Sequence, residues 1–203
     1  MKSLLYFPVF YNEGYVKLSE LLLESIDKFG NVSNNFDILI LTSQEFKTKL
    51  EKNNIVKKFN IKFFLFEVDN LYDACITYLR IFEYENINNY KKILMIDADI
   101  LITGDLNKIF NLSIDNKLYA VGEPGSRKWH YFLWVKSKVR WLPKIAFSCG
   151  VFLFNNCNEI KGLFCKVHQH IKTHIREGKK MPSSMDQPFV IYHCINHNNY
   201  NNT

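Results

Sequence analysis

The chain has 203 residues, 47% of them hydrophobic and 23% charged; that balance belongs to a folded globular chain and excludes disordered, fibrous and membrane-embedded classes. At this length roughly 70% of the unfolded surface can be buried, so folding needs neither disulfide staples nor a structural metal. The net charge of +6 is discounted as a sign of nucleic-acid binding, because abundant Asn, Lys, Ile, Phe and Tyr with little Ala is the profile of AT-rich codons, and no nucleic-acid partner is expected.

The longest apolar run, Leu4 to Tyr11, is interrupted by Pro8 and is less than half the roughly 20 residues of a membrane span, so no transmembrane segment is expected. No small-x-small cleavage site follows it, which favours a first buried strand over a signal peptide. The cysteines, Cys75, Cys149, Cys157, Cys165 and Cys194, are odd in number and form no C-x-x-C pair. They read as reduced thiols of a cytoplasmic protein, and their spacing fits no zinc pattern.

In chain order, Leu4–Phe10 reads as a strand and Val16–Phe29 as a helix with Leu18, Leu21, Leu22, Ile26 and Phe29 inward, ended by Gly30-Asn31. Phe36–Leu41 is a second strand, followed by a short helix from Gln44 to about Asn53. Ile61–Val68 is a third strand, Leu71–Tyr84 a helix, and Lys92–Ile96 a fully apolar fourth strand. This alternation predicts an α/β fold with a mainly parallel central sheet flanked by helices, which binds ligands beyond the carboxyl ends of its strands. Beyond it come a short strand at Leu118–Val121, a long segment from Gly122 to Lys144, a strand at Ala146–Asn155, an amphipathic helix at Asn158–Arg176 and a helix at Met185–Ile195. Ile160, Leu163, Phe164, Val167, Ile171 and Ile175 form the inward face of the Asn158–Arg176 helix. With no linker and no composition break, one domain over residues 1–196 is expected, with 197–203 as a polar tail.

Asp97 and Asp99 close the apolar fourth strand in Ile-Asp-Ala-Asp-Ile-Leu. Residues i and i+2 of an extended chain point the same way, and the small Ala98 leaves room for both carboxylates to converge on one hard divalent cation. Two like charges at a strand end are costly unless an ion neutralises them. A haloacid-dehalogenase-type phosphatase also uses D-x-D, but it wants Thr or Val where Leu101 stands, a motif near the domain start, and a later acidic pair. A dinucleotide-dependent oxidoreductase is excluded by the lack of G-x-G-x-x-G after the first strand.

Six fragments lie in register: Tyr11-Asn12-Glu13-Gly14-Tyr15, Arg80, Ile-Asp-Ala-Asp-Ile-Leu, Gly-Glu-Pro-Gly at 122–125, Phe-Ser-Cys-Gly-Val-Phe-Leu-Phe-Asn at 147–155, and Asp-Gln-Pro at 186–188. In order and spacing they resemble glycosyltransferase family 8, over about residues 4–190. The resemblance implies a GT-A fold, Rossmann-like, and retaining transfer of a hexosyl group from a UDP-sugar to an acceptor hydroxyl with Mn²⁺ or Mg²⁺. It implies that Tyr15 stacks on uracil, that groups from Val9 and Phe10 to Asn12 hold the base, and that Arg80 faces the diphosphate or donor sugar. Asp97 and Asp99 would bind the metal, with Ala98, Ser148 and Gly150 lining the donor site. Glu123 would lie near the donor sugar, Asp186 would hydrogen-bond sugar hydroxyls, and Gln187 would stand beside the anomeric carbon.

Three departures accompany the resemblance. Ser148-Cys149-Gly150 replaces the family's Asn-Ser-Gly or Asn-Ala-Gly, Glu123 replaces Asp, and the family's H-x-x-G-x-x-K-P-W segment, which carries the third metal ligand, is not found in the sequence; a truncation or shortened gene is favoured over substitution by His193 or His197 and over a weak or inactive relative. The acceptor, whether glycan, protein or lipid, and the oligomeric state are not specified by these residues.

Simpler readings stand beside these roles. Tyr15 suits a hydrophobic staple, Arg80 a solvated helix face, and Asp186-Gln187 a first helical turn. His170 with His174, and His193 with His197, have i, i+4 spacing without the Glu of H-E-x-x-H, which favours structural roles over a metal. Arg127, Lys128, Lys136, Lys138 and Arg140 interleave with Trp129, Trp134 and Trp141, a pattern that suits an acceptor wall or lid and equally an excursion that folds its aromatics onto the core. The competing function is a catalytically silent relative that binds a nucleotide-sugar or glycan as an interaction module.

Overall fold

The computed structural model describes residues 1–31, 36–122 and 147–202. Two compact units, Met1–Ser113 and Ile114–Thr203, divide the chain.

The first unit is built on four parallel strands. β1 (Lys2–Val9), β2 (Phe36–Thr42), β3 (Lys62–Leu65) and β4 (Tyr90–Ile96) lie in the order β3-β2-β1-β4. β1 pairs with β2 from Ser3↔Phe36 to Val9↔Thr42, and with β4 from Ser3↔Lys92 to Tyr6↔Met95. Leu4, Leu5, Tyr6 and Phe7 are wholly buried, as are Leu39, Ile40 and Leu41. Such continuous burial is what a parallel sheet covered on both faces requires, and each such side chain contributes roughly 1.5–3 kcal/mol. Between β2 and β4 the order reverses, β1 lying at the reversal; sheets of this topology bind ligands at the carboxyl ends of the strands beside such a switch, here β1 and β4.

The helices of this unit start where the chain supplies caps. α1 (Glu13–Phe29) is capped by Asn12, whose Oδ1 accepts from the Gly14 amide at 2.8 Å. Its buried face is Val16, Ser19, Leu22, Leu23, Ser25 and Ile26, whereas Leu21 and Phe29, expected inward, are exposed. The face turns because Ser19 and Ser25 satisfy their hydroxyls on the Val16 and Leu22 carbonyls, both at 2.7 Å, so they enter the core without an unpaired group. Gly30 closes the helix; a Cβ there would stand 2.6 Å from the Ile26 carbonyl oxygen.

The helix expected from Gln44 to about Asn53 is α2 (Gln44–Leu50), and a further helix not expected from sequence, α3 (Asn54–Lys58), follows because Asn53 caps it, its Oδ1 accepting from Ile55 N. The expected helix Leu71–Tyr84 is α4 (Leu71–Ile76) followed by a 3-10 turn, Thr77–Glu83. α5 (Leu106–Phe110) is capped by Asp105.

In the second unit β5 (Leu118–Gly122) pairs antiparallel with β6 (Phe147–Asn155) and parallel with β7 (Tyr200–Asn202). α6 (Asn158–Arg176) and α7 (Gln187–His197) complete it. α6 has the expected bounds and buries the expected face, with His174 in place of Ile175 as the last buried residue. Residues 200–202, read from sequence as part of a polar tail, form β7 instead. Tyr200 is buried against Phe147, ring centroids 5.2 Å apart, and that contact gives an Asn-rich end a reason to order.

Candidate functional site

At the carboxyl end of β4 the chain leaves the sheet at Asp97, and the Ile100 amide closes a turn on the Asp97 carbonyl at 3.2 Å. Ala98 is buried, only 3% exposed, so the turn's one side chain facing the core is the smallest that fits. Asp99 is exposed and Asp97 half-buried. At the end of β1, Tyr11 has a φ of +68°, and the Asn12 amide reaches back to the Phe10 carbonyl at 2.8 Å. This is a γ-turn with a left-handed centre, a strained form for a tyrosine. It delivers Asn12 to the cap of α1 and Tyr15 to its first turn.

Tyr15 lies within electrostatic reach of both carboxylates. Partial burial raises the Tyr15 phenol above its ordinary pKa, and the fields of Asp99, Cys75 and Asp97 push it the same way. Phe10, buried just before this turn, packs on Phe66 with ring centroids 6.4 Å apart. Arg80 lies over the same Phe66 ring at 4.6 Å and forks onto Glu83 through Nε at 2.8 Å and Nη2 at 2.5 Å. The guanidinium is therefore held as a flat, two-toothed donor, the geometry that suits carboxylate or phosphate. Glu83 pairing is the first cause of its raised pKa. Val9 closes the set through its carbonyl, which accepts the Thr42 hydroxyl at 2.7 Å.

The remaining candidates belong to the second unit. Ser148 turns back on its own strand, its Oγ accepting from the Gly150 amide at 3.1 Å. Gln187 opens α7, and its Nε2 donates to the Phe147 carbonyl at 2.8 Å. That bond orients the amide and joins Gln187 to the strand that carries Ser148 and Gly150. Asp186 is the N-cap residue, preceded by Met185 at a φ of +52°. Four described non-glycine residues have positive φ: Tyr11, Asn31, Met185 and Asn198. Asn tolerates that region, so the two costly cases, Tyr11 and Met185, both adjoin predicted site segments. Glu123 and the tryptophan-rich stretch lie outside the described residues.

The histidine pairs have other partners. His170 Nδ1 and His193 Nε2 stand 3.1 Å apart, linking α6 to α7, and His174 Nε2 meets the Lys180 carbonyl at 3.1 Å. Among the described residues no group of three His, Cys, Asp or Glu side chains is placed to hold a metal. Two carboxylates at a strand end nevertheless fit a hard cation that takes its other ligands from substrate phosphates and water. Cys75, the Phe66 platform and the Phe147 carbonyl escaped sequence reasoning. Cys75 and Phe66 read there as ordinary core positions, and a backbone acceptor has no sequence signal.

The comparisons bear on the family and the fold. The family model for glycosyl transferase family 8 matches residues 16–200. Among solved structures the chain is similar to the apo bifunctional glycosyltransferase WbbM, with a TM-score of 0.72 and 16% identity over 100% of this chain and 38% of that one. It is similar to the galactosyltransferase LgtC in complex with donor and acceptor sugar analogs, with a TM-score of 0.64 and 16% identity over 93% of this chain and 70% of that one. The apo glycosyltransferase GlyE of Streptococcus pneumoniae TIGR4 gives 0.62 and 16% identity over 100% of this chain and 45% of that one. The chain thus spans less than half the length of WbbM and GlyE. No curated protein matches it. The shared fold is GT-A, as the sequence fragments implied.

Proposed function

Since the chain belongs to glycosyl transferase family 8, we propose that it is a metal-dependent, retaining hexosyltransferase with a UDP-sugar as donor. One observation supports the reading: Tyr15 lies within electrostatic reach of Asp97 and Asp99, beside the carboxyl ends of β1 and β4, where a sheet of this topology binds ligands.

Tyr15 offers a ring face to the uracil, and the strained Phe10–Asn12 turn presents backbone groups to its edge. Asp97 and Asp99 hold a divalent cation, Mn²⁺ or Mg²⁺. When bound, the cation neutralises charge building on the departing diphosphate. Arg80 exchanges one of its bonds to Glu83 for a diphosphate oxygen, keeping the plane that Phe66 sets. Asp186 takes sugar hydroxyls, and Gln187, oriented by the Phe147 carbonyl, turns its carbonyl oxygen toward the anomeric carbon, where positive charge develops. Glu123 is assigned to the donor sugar on the family resemblance alone. In the transfer the bond from C1 to the diphosphate oxygen breaks and the acceptor oxygen bonds C1 on the same face. The acceptor proton leaves with the diphosphate, so charge and atoms balance without a protein base. On sequence alone, Trp129, Trp134 and Trp141 are assigned to the acceptor side, the acceptor being a glycan, protein or lipid hydroxyl.

Calorimetry of UDP with and without Mn²⁺ tests this. Binding is expected to require the metal and to weaken more than about 100-fold in Asp97→Asn and in Asp99→Asn. Metal-independent binding that survives both substitutions would overturn the assignment of the pair.

A further inference from the structure

The net charge of +6 is not spread over the molecule. Met1–Ser113 holds 13 Lys and Arg against 15 Asp and Glu, whereas Ile114–Thr203 holds 13 against 5. The whole excess therefore belongs to the second unit, and codon bias, which acts on both halves alike, does not account for it. Among the described residues of that unit, the excess collects on α6. At 100° per residue, Lys161, Cys165, Lys172 and Arg176 fall in one line along the helix, with Gln169 beside them and Lys166 about 80° further round, all exposed. Ile160, Leu163, Phe164, Val167 and Ile171 occupy the opposite, buried face.

A face that is merely solvated mixes its signs. This one has no acid from Lys161 to Arg176, and the acids flanking it are engaged. Glu159 accepts from Asn116 at 3.3 Å and Glu177 pairs with Lys179 at 2.5 Å. Lys180 continues the basic run beyond the helix.

We infer that the outer face of α6 docks the protein on an anionic lipid surface. The cations run straight for about 22 Å along one helix axis, which suits a plane. No aromatic side chain stands on the exposed arc, so it has no stacking platform for single-stranded nucleic acid. Val121 is the one exposed large hydrophobic among the unit's described residues, so adsorption is electrostatic, without insertion, and reversible by salt.

The test is co-sedimentation of the full chain with vesicles of phosphatidylcholine alone and with about one-third phosphatidylglycerol, at low and high salt. The variant Lys161→Gln/Lys166→Gln/Arg176→Gln is compared with Lys52→Gln/Lys57→Gln/Lys91→Gln, which removes the same charge from exposed sites of the first unit. At about fivefold per cation, the α6 variant is expected to lose about 100-fold in partitioning to anionic vesicles while the control stays within about threefold of the parent. Circular dichroism of both variants checks that they fold; should the triple variant not fold, its three single substitutions, each worth about fivefold, replace it. Failure of the parent to bind anionic vesicles, equal losses in both variants, or binding of duplex RNA but not vesicles overturns the proposal.

Discussion

Asp37 shows how one residue stabilises a sheet at the end away from the candidate site. Its carboxylate, at the amino end of β2, takes Lys2 at 2.9 Å, Lys62 at 2.7 Å and the Tyr90 hydroxyl at 2.8 Å. These groups stand on β1, β3 and β4, so one carboxylate ties together all four strands of the first unit. Burial works against its charge, but the bonds from Lys62, Lys2 and Tyr90 outweigh it and lower its pKa from 3.8 to about 2. The folded value lies below the unfolded one, so this stability is fully present above pH 3.8 and is lost as pH falls through about 2. Asp37→Asn is expected to cost about 2 kcal/mol at neutral pH, read by denaturant unfolding, with the gap to the parent closing at pH 2. An unchanged gap at that pH would show that packing, not charge, is what the substitution removes. None of this was legible beforehand, because Asp37 alternates into an apolar run whose partners come from three distant strands.

At the scale of elements, the contact between α6 and α7 rests on His170 and His193. His193 Nδ1 is buried with no partner, so the arrangement with the lower cost leaves that nitrogen unprotonated and has Nε2 donate to His170 Nδ1. Burial, then His170, His197 and Lys166, lower the His193 pKa from 6.5 to about 4. The unfolded chain takes up a proton at 6.5 that the folded one refuses until about 4, so stability falls as pH drops through that window. His193→Gln is expected to flatten the pH dependence of the thermal midpoint between those values, and an identical slope in parent and variant would refute the assignment. The i, i+4 spacing of the histidines was readable from sequence, and so was its ambiguity; only the packing of one helix on the other decides what each ring meets. The same holds for α1, where periodicity found the helix but the serine back-bonds chose which face turned inward.

For the whole molecule, a donor that binds the folded chain alone must raise its stability. Saturating UDP with Mn²⁺, at about 100 times the dissociation constant, contributes about 2.7 kcal/mol, or about 5 to 10 °C in the thermal midpoint at this chain length. Chelation of the metal is expected to remove that shift, and a shift that persists in chelator would separate nucleotide binding from the metal. The sequence by itself determined the alternation of apolar strands and amphipathic helices, the place of Asp97 and Asp99 at the end of the fourth strand, and the family. Those features are written in local periodicity and in motifs whose order survives without any knowledge of contacts. Tertiary structure decided the Arg80 fork over Phe66, the anchoring of Gln187 on Phe147 and the strand at residues 200–202. Each of these depends on which distant groups are brought within a few ångströms, and pairwise distance across a folded chain is not encoded in the neighbourhood of any one residue.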